Sequence, residues 1–328
     1  MKALLKKLKG SREASLLLVL ILLIVAVSIK SPSFLSVQNI SEILKNNSVI
    51  MIMALGMLCV LLIGGIDISV ASTLGFAGMT IGMLYKRGVI ESTLLGFVIA
   101  ILIGTLCGLI IGVIIAYGKV IPIICTMGFM YIYRGFAYLV ANDEWAGADA
   151  LPAGFKNFSL NSFLGINNVV WVTIICYVVF FIVLKWTKAG RNVYAVGSNE
   201  EAAGISGINV ARVKVGVYTV MGLLSGLCGA LSTSVYASAQ PNMQTSKEMD
   251  IIAACVIGGV SMNGGMGSVP GALLGALILS VISKALPLVG INALAQNTIK
   301  GVIIIAVIII NVLTQRAMKR SSLEAREM

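Results

Sequence analysis

Residues 185–214, KWTKAGRNVYAVGSNEEAAGISGINVARVK, form a long polar passage between strongly apolar segments. Lys185, Lys188, Arg191, Arg212 and Lys214 bracket it, and Glu200, Glu201, Ala202, Ala203, Gly204 and Gly207 occupy its centre. Basic clusters next to membrane segments hold a loop on the cytoplasmic side. Ser198 reads as an N-cap, and Glu200 and Glu201 then fall in a first helical turn, where the helix dipole favours acids. Gly207 can stop such a helix after about two turns. A knob of this kind is either a solvated connector or a docking element for a cytosolic partner.

The flanking segments set the class. Of 328 residues 58% are hydrophobic and 11% charged, and the mean hydropathy is +1.00. Soluble domains carry about 25% charged residues, so the chain is a polytopic membrane protein. Its net charge of +11 does not point to nucleic acid. Fifteen of the 24 Lys and Arg lie in the N-terminal tail, at Lys119, in the central passage and in the C-terminal tail, a distribution that the positive-inside rule explains. The chain has no His, which removes the commonest general base and metal ligand. Cys59, Cys107, Cys125, Cys176, Cys228 and Cys255 lie in apolar runs without metal-ligand spacing and read as small core hydrophobes. No cofactor, metal or catalytic group is expected.

Ten apolar runs follow in order: Ala14–Ile29, Ser48–Ile63, one from beyond Ser69 to Leu84, Leu94–Tyr117, Pro122–Val140, Trp171–Trp186, Val215–Val235, Glu248–Gly259, Gly271–Leu286 and Thr298–Leu313. The first is either a spanning helix or, with Ala26-Val27-Ser28 as a loose cleavage site, a signal peptide. The expected fold is therefore all-α, a single transmembrane bundle of about ten spans over 14–314. It has both termini cytoplasmic, a cytoplasmic loop at 186–213 and a cytoplasmic tail at 315–328. Lys30–Asn47 and Asn142–Asn168 are expected as external loops, the latter long enough for a short surface helix. Gly104, Gly108 and Gly112, and Gly222, Gly226 and Gly229, read as helix-packing positions.

Three places stand out inside the apolar region. Gly64-Gly65-Ile66-Asp67-Ile68-Ser69 marks a break at membrane depth, where irregular backbone is tolerated only in protein or along a watery cavity. Asp67 is a functional candidate there, or a cap for the next helix. Arg134 is expected to snorkel outward, to pair with Asp143 or Glu144, or to line a transport path. Ser261–Pro270, with Asn263, is glycine-rich, but it has neither Lys nor Arg and no G-x-x-x-x-G-K-[ST], which excludes a phosphate loop. Gly64-Gly65 and Gly258-Gly259 hint at an internal repeat.

Glu201-Ala202-Ala203 with Gly207 reads E-A-A-x-x-x-G and resembles the EAA loop of bacterial ABC-importer permeases. Gly64–Ser69, Tyr133-Arg134-Gly135, Gly190–Gly197, Ser206–Val210 and Asp250–Gly259 resemble the ribose-type monosaccharide permeases, over roughly residues 50 to 312. Autoinducer-2, rhamnose, xylose and galactose permeases look similar. The family often has Gly where this chain has Ala71, and Asn142–Phe158 departs from its pattern.

The resemblance implies half of a transmembrane dimer, homo- or heterodimeric, in a bacterial inner membrane. A cytosolic ABC ATPase and an external solute-binding protein would complete it. It implies that Glu200, Glu201, Ala202, Ala203, Gly204 and Gly207 form the coupling element, with Arg191 and Arg212 at its rim. Asp67, Ser69 and Asn263 are nominated for the sugar path, and Asp250 for the outer mouth. An ion-coupled secondary transporter and a non-transporting scaffold remain as competing readings.

Overall fold

The computed structural model describes residues 12–288 continuously and scattered positions from there to 309. Twelve α-helices lie within 12–288: α1 (Arg12–Lys30), α2 (Val37–Leu62), α3 (Val70–Lys86), α4 (Thr93–Gly118), α5 (Pro122–Ala141), α6 (Ala153–Leu160), α7 (Asn168–Trp186), α8 (Lys188–Ser198), α9 (Glu200–Ile205), α10 (Val210–Tyr236), α11 (Lys247–Ile257) and α12 (Val269–Leu288). A two-stranded hairpin, β1 (Ser162–Phe163) and β2 (Ile166–Asn167), precedes α7. Among the described residues seven helices, α1, α2, α4, α5, α7, α10 and α12, are long and apolar enough to cross a membrane. The chain is thus an all-α polytopic bundle. Thr298–Leu313 and the basic tail beyond it lie largely outside the described residues, as do the lysines before α1.

Helix ends depart from the hydropathy pattern in two places. Ser48–Ile63 extends backwards to Val37, because the Ser36 hydroxyl caps a helix by accepting from the Asn39 amide at 3.2 Å. Most of the expected loop at Lys30–Asn47 is therefore helix. The Glu248–Gly259 run is too short to span a bilayer as one continuous helix. Its helix, α11, has 11 residues, a reach of about 16 Å against a hydrocarbon core of about 30 Å.

The bundle is organised on α2 and α10. From Met51 to Leu62 every residue of α2 is buried. α10 packs antiparallel on α4 through backbone contact, and a methyl group at Gly104 would stand 2.2 Å from the Gly222 carbonyl oxygen. That proximity is available only to glycine, and it explains the four-residue spacing on α4.

Contacts sort the loops onto two ends. At one end, Lys86 bonds Glu144 at 2.9 Å, Arg87 donates to the Val140 carbonyl, and Ala146 bridges Ala239. The Lys86 hydrogen bond holds the exposed Glu144 carboxyl below the usual carboxylate range. α6 and the hairpin fill the 142–168 segment at this end. Arg134 does not pair with Asp143 or Glu144. Its guanidinium donates to the Pro241 and Met243 carbonyls at 2.7 and 3.1 Å, because α5 packs beside the turn that follows α10. The opposite end holds the 63–69 break, the 119–121 turn, α8, α9 and the 258–268 turn. α1 starts there too, Glu13 accepting from the Ser268 hydroxyl at 3.0 Å.

Candidate coupling and translocation site

The polar passage is largely helical. Thr187 caps α8 by accepting from the Gly190 amide, and α8 buries Gly190, Val193 and Val196 along one stripe. Asn199 then breaks the helix with extended backbone and caps α9, its Oδ1 accepting from the Ala202 amide at 2.9 Å. The cap is thus Asn199 and not Ser198, which closes α8. Glu200 and Glu201 occupy the first turn of α9, and Gly207 ends it with φ +81°. Ile208 N–H bonds the Ala203 carbonyl across that stop. Of α9 only Ala203 is buried, while Ile205 is 84% exposed. A six-residue helix anchored by Ala203 and presenting a bare isoleucine is a protrusion on the surface of the described bundle.

α8 ties this protrusion to the membrane breaks. Gly197 sits directly on the Leu62 carbonyl oxygen; an added methyl would be 1.6 Å away. Tyr194 donates its hydroxyl to the Gly267 carbonyl at 2.8 Å. Leu62 is the last residue of α2, and its carbonyl also accepts from the Gly265 amide at 2.9 Å. One carbonyl therefore joins α8, the first glycine turn and the second.

The two turns stop their helices alike. After α2, Gly64 N–H bonds Leu61 O and Gly65 N–H bonds Val60 O; after α11, Gly259 N–H bonds Val256 O and Val260 N–H bonds Cys255 O, all at 2.9 Å. Gly64 and Gly259 carry the positive φ, +73° and +88°. The repeat hinted at in the sequence therefore pairs Gly64 with Gly259, one residue off the Gly64-Gly65 and Gly258-Gly259 alignment.

Beyond the first turn Asp67, 2% exposed, accepts from the Ser69 amide at 2.9 Å and from its hydroxyl at 2.6 Å. Asp67 and Ser69 thus belong to one buried loop that opens α3. Asn263 stands on the second turn, exposed, with its carbonyl facing Gly64. Two residues that the sequence pattern does not single out complete the place. Thr126 of α5 donates to the Ile66 carbonyl at 3.3 Å, and the buried Tyr218 hydroxyl of α10 lies over Gly65. That hydroxyl has no well-formed hydrogen bond among the described residues. Both sit in ordinary apolar helices, so only the fold brings them to the break. No group of three metal-ligating acids or thiols occurs among the described residues.

The model of the branched-chain amino acid transport system / permease component family matches residues 39–311. The chain belongs to that permease family. It is 41% identical over 293 residues to the ribose import permease of Haemophilus influenzae, covering 88% of this chain and 90% of the relative. It is 36% identical over 301 residues to the ribose import permease of Escherichia coli K12, covering 91% and 93%. The autoinducer 2 import system permease LsrC of Salmonella choleraesuis is 32% identical over 317 residues, covering 97% and 90%. No solved structure matches. As a permease the chain is a transport component and not an enzyme.

Proposed function

We propose that this permease is the membrane-spanning subunit of an ABC importer for a ribose-like monosaccharide. It takes the sugar from an external solute-binding protein and releases it into the cytoplasm. It works as one of two permease chains, identical or paralogous, on a separate cytosolic ATPase pair. The observation that carries the reading is α9, an exposed short helix bolted through α8 to both glycine turns. The bundle sits in the bacterial inner membrane with α8, α9 and both termini inside, which the basic residues 185–214 and the basic tails favour. Ten crossings then result if the 298–313 run and the two broken segments each count as one.

Closure of the ATPase pair moves α9, and α8 passes the movement to Leu62 and to the turn at 258–268. The turns are the two-state element, and sugar acts on it only by binding one state better. Asp67, Ser69 and Asn263 contribute transient polar contacts, since the external protein supplies affinity. The decisive experiment is reconstitution. The permease with its ATPase and binding protein should accumulate labelled ribose on ATP addition, and the permease alone should not. Accumulation against a gradient by the chain alone would establish a secondary transporter instead. The LsrC likeness keeps autoinducer-2 as a second cargo, and titration of the cognate binding protein with both compounds decides between them.

A further inference from the structure

A cavity of about 710 Å3 lies between α7 and α10, with α8 across its lower end. Its walls are aliphatic, with Val179 and Val183 from α7 and Val220 and Leu223 from α10, and Val179 is 48% exposed. At the α8 end its lining turns polar, with Asn192, Asn209 and Arg212. The Arg212 guanidinium and the Asn192 amide have no hydrogen-bond partner among the described residues. Trp186, 61% exposed, marks the interfacial depth of that mouth. From Arg212 to Leu223 the slot rises about 16 Å along α10, the thickness of one leaflet's hydrocarbon.

We propose that this slot is a binding site for an anionic phospholipid of the adjoining leaflet. One acyl chain fills the aliphatic part, and the phosphate accepts from Arg212 and Asn192. Depth, apolarity and a cationic mouth coincide in this cavity. A guanidinium suits a phosphate because it donates through two parallel N–H groups. Since Asn192 belongs to α8, and Asn209 and Arg212 follow α9, the lipid braces the coupling element from the membrane side. The inference takes from the proposed function only which leaflet adjoins the mouth.

Native mass spectrometry of the permease–ATPase complex from nanodiscs of phosphatidylcholine doped with phosphatidylglycerol tests it. The native complex should retain phosphatidylglycerol, one per permease chain. Gly216→Leu fills the slot, where an added Cβ meets nothing within 4 Å, and should abolish retention. Arg212→Gln keeps the slot and should weaken phosphatidylglycerol retention about tenfold or more, the loss of a charged hydrogen bond. Arg212 is exposed, so that variant folds whatever becomes of the first. Retention unchanged in Arg212→Gln, or a disulfide between two permease copies through Val179→Cys, would overturn the lipid assignment. Lipid retention is read without transport, so its failure leaves the importer reading in place.

Discussion

At residue scale Asp67 has a local duty in the loop and, in the proposed reading, a transport duty, and two substitutions separate them. Asp67→Asn keeps an acceptor for Ser69 and removes the charge. Hydrogen bonds to an ionised group contribute about 1.5–3 kcal/mol and neutral ones about 0.5–1.5, so the loop should loosen by about 1 kcal/mol. Uptake should fall several-fold while the ATPase still co-purifies. Asp67→Ala leaves buried Ser69 donors without a partner, which costs about 1–3 kcal/mol, and should lower the unfolding temperature as well. Wild-type uptake by Asp67→Asn would reduce the carboxylate to a turn former. Gly197→Ala tests a different link. Its methyl would meet the Leu62 carbonyl at 1.6 Å, and backbone on both sides cannot yield without shifting α8, at a cost of about 1–3 kcal/mol. The expected result is ATP hydrolysis uncoupled from uptake, measured as more ATP consumed per sugar moved. An unchanged ratio would show that α8 does not transmit.

At the scale of elements, α9 is expected to act by shape and apolar insertion more than by ion pairing. The Lys214–Glu200 contact at 2.7 Å is exposed, and such pairs contribute about 0–1 kcal/mol. Glu200→Gln should therefore capture the ATPase nearly as well as the native chain. Glu201→Lys reverses a charge on the protruding face, and Gly207→Val places a branched residue at φ +81°, a strain of roughly 1–2 kcal/mol. Both should release the ATPase in a pull-down while leaving the membrane fold intact; normal capture by both would displace α9 as the docking helix. The centre of α9 is legible in the sequence because capping, dipole and glycine-stop signals are local. α8 is less legible, since its helix rests on a buried stripe, Gly190, Val193 and Val196, whose packing partners lie on other elements of the chain. The shortness of α11 escapes hydropathy for a similar reason, because apolar residues continue past its end into irregular backbone packed inside the protein.

For the whole molecule, composition settles the membrane bundle and glycine spacing settles the α4–α10 seam, since both are properties of continuous segments. The convergence on the Leu62 carbonyl is not legible, nor is the approach of Tyr218 and Thr126 to the break, because neither follows from any local period. Sidedness stands between these cases. Charge distribution is the sequence's argument for it, and the contacts place α1's start, α8, α9 and both glycine turns at one end, with α6 and the hairpin at the other. Thiol labelling of intact cells tests it directly. Among the native cysteines five are buried and Cys176 is partly so, which gives a low background. Ile205 and Leu160 are exposed at opposite ends, 84% and 65%. A membrane-impermeant maleimide should label Leu160→Cys in intact cells and Ile205→Cys only after permeabilisation. Labelling of Ile205→Cys from outside would put α9 beyond reach of any cytosolic ATPase. The glycine turns would then have to be moved by the sugar or an ion alone.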